Sequence, residues 1–331
     1  MHKIIEPIEP FNEIYYQSCL YNSLFPIIRH FQLSILPLLI NDWIVYEAIR
    51  TGEGLLCGIS YRTKTGLSEG LTGLGVAVEK RELVETVIDR IKSAIDMERP
   101  VVLWVDCYEM PIRKDTFQKK HLPHTILVHG YDDVSSQFHI VEHLQTENLS
   151  YGKKTIMMED LERAFIGFDN EFNKGQKKID SYYEFYKMKQ DVSTIYKGEV
   201  ETYQELIRIN MDAITEGLDN LLEVTEQLYG RLMQQAPISI EFAVKQLDKL
   251  NSLILAKQAE HYKLKLLQME QEPYCAILLN IINEWSIIRG IVAKYVYSNH
   301  FEVERFSDLP DRMNNIYEAE LEFYANYCSK I

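Results

Sequence analysis

The sequence predicts an α+β protein, in which a domain of mixed strands and helices is followed by an all-helical domain. Up to about residue 190, short apolar runs of strand length alternate with helical periodicities and with turns that contain glycine or proline. After residue 200, long helical periodicities follow one another and strand signals are nearly absent. We therefore place the two domains at residues 1–190 and 191–331, in keeping with roughly 150 residues per domain.

The first domain begins with an extended segment that contains Pro7 and Pro10. Apolar residues at helical spacing then predict a helix from Cys19, which Pro26 should bend or end. The runs NDWIVYEAI and GLLCGISYR are typical of strands, and the glycine-rich stretch after them indicates turns and a short strand.

The second half of this domain is expected to form most of a sheet. The amphipathic stretch 80–98 predicts a helix, and Pro100 ends it before the buried strand VVLWVDCY. TILV and FHIVEH, separated by the turn GYDDVSSQ, predict a β-hairpin, and MEDLERAFIG predicts a helix. The aromatic stretch SYYEFYKMK is expected to pack between the domains.

The second domain shows four long helical periodicities with short breaks at prolines. Short connections between helices favour an up-and-down bundle or an array of antiparallel pairs. The predicted helical stretches are residues 200–235, 238–270, 272–298 and 308–328.

Composition and charge exclude several classes of protein. The net charge of −14 argues against a nucleic-acid binder and against docking on an anionic membrane. The sequence predicts no signal peptide and no membrane span, and the five widely spaced cysteines, without a CxxC motif, indicate a reducing, cytoplasmic environment. The glycine-rich stretch matches no nucleotide-binding fingerprint, so no cofactor is expected.

Cys19, His124 and Glu142 form the candidate catalytic set. Cys19 starts a predicted helix, where unpaired backbone N–H groups favour a thiolate and can receive an oxyanion. His124 lies at the start of a predicted strand, and the hairpin returns Glu142 to its neighbourhood. An acid there would orient the imidazole and support its protonated form. The pattern therefore predicts thiol-based acyl transfer.

A zinc site is the competing interpretation of the same hairpin. The run from His139 to His143 matches H-x-x-E-H, a zinc-hydrolase motif that requires a helix. In a strand the two histidines stand ~13 Å apart, at about 3.3 Å per residue. Because this run is predicted to be a strand, we expect no metal site.

Three motifs, in this order, resemble the N-terminal domain of the butirosin biosynthesis protein H family: QSCLYNSL, VVLWVDCYEMP and HLPHTILVHGYDD. The resemblance covers about residues 1–170. It implies a papain-like (C39-peptidase-like) cysteine fold and a Cys–His–acid acyltransferase. Such an enzyme moves an acyl group from an acyl carrier protein thioester to a small-molecule amine in secondary-metabolite biosynthesis. By carry-over, Cys19 is the nucleophile and His124 the base.

This sequence departs from that family's pattern at two positions. The family's acid is an aspartate followed by proline, whereas Glu142 is followed by His143. A papain-like oxyanion glutamine is expected about six residues before the cysteine, where this chain has Glu13. The oxyanion donors are then Gln17, Asn12 or backbone N–H groups alone. Further candidates for the lining of the cleft are Asp106, His121 and Tyr131.

Two other functions remain open at this stage. The same machinery could act as a hydrolase, either a peptidase or a thioesterase, since the outcome depends on whether water reaches the acyl intermediate. Alternatively, the domain could be a degenerate papain-like binding or scaffold module, which the departures at Glu13 and Glu142 would favour.

Overall fold

The computed structural model describes residues 1–81, 86–144, 150–175, 178–189 and 198–328. Two compact units are present: Met1–Pro37 with Gly66–Tyr196, and Leu38–Thr65 with Lys197–Ile331. The first carries an antiparallel sheet and the second is mainly helical, which confirms the predicted α+β class. The units differ from the predicted domains 1–190 and 191–331 in that residues 38–65 group with the C-terminal helices.

A seven-stranded antiparallel sheet forms the centre of the first unit, with six strands in the order β4-β9-β5-β6-β7-β8 and β1 paired with β6. β6 is long enough to pair with β5 through its first half and with β1 through its last residues. The strands are β1 (His2–Ile4), β4 (Val76–Arg81), β5 (Val101–Asp106), β6 (Pro123–Asp132), β7 (Gln137–His143), β8 (Tyr151–Met157) and β9 (Tyr182–Lys187).

The helices of the first unit bury one apolar face each. The helix that starts at Cys19 runs unbroken to His30 with Pro26 inside it, so the expected bend or break does not divide it. The four helices are α1 (Cys19–His30), α3 (Leu67–Gly73), α4 (Val87–Asp96) and α5 (Met158–Phe172); a short helix, α2 (Leu36–Leu39), spans the point where the chain leaves this unit.

Two elements of the first unit were not predicted from the sequence. The glycine-rich stretch, expected to form turns and a short strand, forms the unpredicted helix α3 and then the first residues of β4, which is the expected short strand. The aromatic stretch expected to pack between domains contains β9, which pairs with both β4 and β5 inside the sheet. Tyr182 and Phe185 of β9 are buried, so these aromatic residues belong to the sheet's own core.

The hairpin of β6 and β7 has the predicted position and an irregular register. Pairing shifts between Val128 and Gly130, where a bulge places an extra residue in β6. At the turn, Asp132 accepts hydrogen bonds from the backbone N–H of Val134 at 2.8 Å and the hydroxyl of Ser135 at 2.9 Å. These side-chain hydrogen bonds of Asp132 close the predicted turn, a common role of aspartate in turns.

The second unit combines a two-stranded sheet with long helices. The strands β2 (Asp42–Arg50) and β3 (Leu55–Thr63) pair antiparallel over their full length, as the sequence predicted for two strands here. The helices are α6 (Glu199–Ile209), α7 (Met211–Met233), α8 (Ile240–Leu266), α9 (Pro273–Ser298), α10 (Val303–Phe306) and α11 (Leu309–Cys328), which follow the predicted helical stretches.

α9 alone among the described helices is long and apolar enough to cross a membrane by length and composition. Within the unit its buried residues form part of the core: Leu278, Ile281 and Trp285 are fully buried. Core helices of globular proteins pass the same test, so this property carries no membrane assignment.

Buried charges lie inside the second unit. Lys257 and Glu320 are almost completely buried and form an ion pair. Glu320 also accepts a hydrogen bond from the hydroxyl of Tyr46 at 2.5 Å, and Tyr46 in turn accepts one from the indole N–H of Trp285 at 3.1 Å. A buried charge is tolerated only when paired and hydrogen-bonded, as it is here.

Candidate active site

Cys19 is the first residue of α1, at the end of an extended segment. Its preceding residue, Ser18, has extended backbone angles (φ −155°, ψ 168°), so the chain enters the helix directly at the cysteine. One turn further on, the hydroxyl of Ser23 contacts the hydroxyl of Thr125 in β6 at 3.1 Å. This contact joins α1 to β6 close to the cysteine.

The structure brings Cys19, His124 and Glu142 together. The Cys19 thiol hydrogen-bonds to the imidazole of His124, the second residue of β6. The Nε2 atom of His124 lies 3.1 Å from Oε1 of Glu142, near the end of β7. That approach is poorly directed for a hydrogen bond, so the contact is best described as an ion pair. Both partners are buried.

The electrostatics of this set favour a charged pair. Burial alone would raise the pKa of the Cys19 thiol, but hydrogen bonds from His124 and Thr125 outweigh it and bring that pKa below the usual 9.0. Burial would lower the pKa of His124, but Glu142 and Cys19 raise it to about 10. A lowered thiol pKa beside a raised imidazole pKa is the condition for a thiolate–imidazolium pair.

Arg113 completes the charge arrangement, and the sequence reasoning missed it. Its Nη1 atom lies 3.3 Å from Oε1 of Glu142, and its other nitrogens bond the carboxylate of Asp115 at 2.9 and 3.1 Å. Burial alone would raise the pKa of Glu142, but the charges of His124 and Arg113 outweigh burial and lower this pKa. The available signal was an arginine two residues before an aspartate in a basic segment, which does not reveal a distant glutamate.

Two tyrosines beside Cys19 were also missed. Tyr15 hydrogen-bonds to the backbone of Cys19, and burial together with the thiol's charge raises the pKa of Tyr15 to about 12. Burial and the charge of Cys19 also raise the pKa of Tyr151, at the start of β8. Both phenols therefore stay protonated at neutral pH and can donate hydrogen bonds near the thiol.

The residues considered for the oxyanion site have different surroundings. Glu13 forms an ion pair with Arg29 of α1, so its carboxylate is bound to that guanidinium. Asn12 bonds both the N–H of Tyr151 at 2.6 Å and its carbonyl at 3.0 Å. Its amide therefore anchors β8, which does not support the expectation of an oxyanion donor. Gln17 lies two residues before Cys19 with a left-handed backbone (φ 51°) and stays a candidate.

Asp106 and His121 form a separate pair. Oδ2 of buried Asp106 lies 2.5 Å from Nδ1 of His121, whose ring stacks on Tyr108 with centroids 4.3 Å apart. The hydrogen bond that the His121 ring donates to the Asp106 carboxylate is the main cause of a raised pKa of His121. His121 is half exposed, whereas its partner Asp106 is buried.

Tyr131 does not belong to the site. It lies seven residues after His124 on β6, roughly 23 Å away at about 3.3 Å per residue. Its hydroxyl donates to Asp96 of α4 at 2.9 Å. The prediction that Tyr131 lines the cleft is therefore wrong, because the strand carries it to the opposite end of the sheet.

The zinc interpretation finds no support in the described part of the chain. His139 and His143 lie on one extended strand, β7, and not on a helix. Among the residues that the structure describes, no group of three or more histidine, cysteine or acidic side chains could hold a metal ion.

Cys19 differs from the other cysteines whose side chains are described. Burial raises the pKa of Cys57 and of Cys107 to about 12 each, and burial also raises that of Cys275. Of these four thiols, Cys19 alone has a lowered pKa. The side chain of Cys328 lies outside the described residues.

Comparison with known proteins finds one family. The model of the N-terminal domain of butirosin biosynthesis protein H matches residues 54–143, which confirms the resemblance for the motifs VVLWVDCYEMP and HLPHTILVHGYDD, whereas QSCLYNSL lies outside the match. The matched segment contains His124 and Glu142 and ends at His143, while Cys19 lies before its start. No curated protein matches the chain.

Proposed function

From the match to the butirosin biosynthesis protein H N-terminal family, which supports an acyltransferase-like biosynthetic role, we propose that this protein is a cysteine-dependent acyltransferase. It moves an acyl group from an acyl carrier protein thioester to an amine acceptor through a thioester on Cys19. The observation that carries the proposal is the contact of half-buried Cys19 with the buried pair His124 and Glu142, together with the lowered pKa of the thiol.

In the first half-reaction, the Cys19 thiolate attacks the carbonyl carbon of the donor thioester. The new carbon–sulfur bond forms as the bond to the carrier's sulfur breaks, and the carrier thiolate leaves with the proton of the His124 imidazolium. Backbone N–H groups at the start of α1, the side chain of Gln17 and the phenol of Tyr15 are the candidate donors to the transient oxyanion.

In the second half-reaction, an amine attacks the acyl group on Cys19. Neutral His124 takes the proton from the amine as the carbon–nitrogen bond forms, and the Cys19 thiolate leaves to regenerate the ion pair. Glu142 stabilises the imidazolium that forms in this step, and Arg113 keeps Glu142 ionised. Cys19 is thus the nucleophile, His124 the acid and base, and Glu142 and Arg113 positioning residues.

Intact-mass analysis tests the proposal. The protein is mixed with a panel of acyl carrier thioesters, and the mass of the acyl group is expected to appear on the wild type and on Cys57→Ala. It is expected to be absent from Cys19→Ala. A lack of any acyl adduct with the whole panel, or an adduct that persists in Cys19→Ala, would overturn the proposal and favour a binding or scaffold module.

The fate of the acyl group separates transfer from hydrolysis. After adduct formation, an amine mixture is added and the products are analysed by mass spectrometry. Transfer predicts amide product that forms faster than free acid. Release of free acid alone, at a rate that amines do not change, would identify a thioesterase or peptidase that uses the same residues.

A further inference from the structure

The second unit contains an apolar cavity that the proposed reaction does not use. Its volume is about 60 Å³, and its wall is contributed by β3 and by α7 to α11. The cavity is partly open to solvent, so the end of a chain can enter it from outside. Among the wall residues are Leu55, Phe242, Ala243, Trp285, Val292 and Met313.

Two glutamines on the wall of the cavity hydrogen-bond to the edge of β3. Oε1 of Gln246 accepts the N–H of Cys57 at 2.9 Å, and its Nε2 donates to the carbonyl of Cys57 at 3.1 Å. Oε1 of Gln227 accepts the N–H of Leu55 at 2.5 Å. The two side chains bond the edge of β3 as a third strand would, so both ends of Gln246 and the carbonyl oxygen of Gln227 are not available to order a polar ligand.

The one cation on the wall is also neutralised. Arg231 donates to the carboxylate of Glu53 at 3.2 Å and to the carbonyl of Pro237 at 2.8 Å. Its guanidinium lies over the ring of Phe242, 5.4 Å from the centroid. Because that charge is balanced, the cavity presents a neutral hydrocarbon surface.

We propose that this cavity is a binding site for an uncharged aliphatic group, the end of a short alkyl chain carried by a small molecule. The size decides the class of ligand. An apolar cavity of about 150 Å³ holds a benzene ring, and this one has less than half of that volume. A cavity lined almost wholly by apolar side chains does not order water, so an alkyl chain is the fitting occupant.

Methyl NMR of the full chain with ¹³C-methyl methionine tests this site, because Met313 lines the cavity. The Met313 signal is assigned by its loss in Met313→Leu. Addition of 1-hexanol is expected to shift that signal saturably, whereas 1,6-hexanediol, which has no apolar end, should not. Cys19→Ala should behave as the wild type, so failure here is independent of the proposed reaction.

Cavity-filling variants locate the binding. Ala243→Leu, which places three carbons into the cavity, should weaken 1-hexanol binding at least tenfold at an unchanged melting temperature. The milder Ala243→Val should weaken it less. Val244→Leu, next to it on α8, half exposed and absent from the wall, should bind as the wild type does. No saturable shift in the wild type, or equal binding by Ala243→Leu and Ala243→Val, would overturn the proposal.

Discussion

At the scale of single residues, the charge on Cys19 depends on a row of side chains that ends in Arg113. Arg113 holds Glu142 ionised, Glu142 holds His124 protonated, and His124 lowers the pKa of the thiol. The pKa of Glu142 is lowered, that of His124 is raised and that of Cys19 is lowered, so all three shifts favour the charged form of the side chain. The row therefore acts as one unit, and changes within it should not be additive.

Removing the charge of Glu142 should impair the reaction strongly. In Glu142→Gln the shape is kept, but the imidazolium of His124 loses its counter-charge, so the pKa of His124 falls and that of Cys19 rises. We expect acyl transfer to slow by roughly 10² to 10⁴, the range in which a triad acid contributes. The measurement is single-turnover acylation; an unchanged rate would remove Glu142 from the mechanism.

Arg113→Met tests whether the arginine acts through Glu142. Loss of the guanidinium leaves the buried carboxylate with one partner, so the pKa of Glu142 should rise and the acid limb of the pH–rate profile should move to higher pH. The fold should lose about 3 kcal/mol. Asp115→Asn, which changes a more exposed carboxylate on the same arginine, is the control; a pH profile equal to the wild type in both variants would contradict the role.

At the scale of elements, the long strand β6 carries the site at its start and a pH-sensitive contact near its end. His129, at the bulge, is buried, and its Nδ1 lies 3.4 Å from the carbonyl of Ile5. Burial is the main cause that lowers the pKa of His129, to about 4. The folded protein thus keeps this imidazole neutral where the unfolded chain would protonate it.

This histidine makes stability depend on pH. Between the unfolded value of 6.5 and about 4, the unfolded chain binds a proton that the folded protein does not, so stability falls as pH falls through that window. The loss is roughly 3 kcal/mol at about 1.4 kcal/mol per pKa unit. Urea denaturation at several pH values from 7 to 4 gives the free energy of unfolding at each pH. This free energy should fall less with decreasing pH in His129→Gln than in the wild type; an equal fall in both proteins would contradict this role.

The buried pair of α8 and α11 gives a second prediction at this scale. Lys257→Met leaves Glu320 charged and unpaired in the core, which should cost about 3 to 5 kcal/mol. Lys257→Met with Glu320→Leu removes both charges and should recover most of that loss. Urea denaturation measures both variants, and a double variant no more stable than the single one would contradict the account.

At the scale of the whole molecule, local sequence patterns predicted the helices and strands better than they predicted which of the two units each of them joins. The α+β class, the four helical stretches of the second unit and the β6–β7 hairpin follow from periodicity and turn residues. The grouping of β2 and β3 with the C-terminal helices does not follow from local patterns. It depends on Gln227 and Gln246, which bond β3 from more than 150 residues further along the chain. Arg113 was missed for the same reason, since its contact with Glu142 joins residues that are 29 positions apart.

The interleaved units predict the behaviour of a truncated chain. A fragment of residues 1–190 keeps β2 and β3 but lacks α7 and α8, whose glutamines bond the edge of β3. We expect it to aggregate, because Leu55 and Leu56 would lose their cover and the strand edge would be open. A soluble fragment with one cooperative thermal transition would contradict the interleaved division.

The pH dependence of Cys19 alkylation tests the central claim most directly. With limiting iodoacetamide and intact-mass detection, Cys19 should label faster than Cys57 and Cys107, with a midpoint below pH 9. In His124→Ala the midpoint should move to higher pH, since the main effect that opposes burial is lost and only the hydrogen bonds from Thr125 remain. If Cys19 labels no faster than the two core cysteines, or its midpoint is the same in wild type and His124→Ala, the thiolate–imidazolium account is wrong.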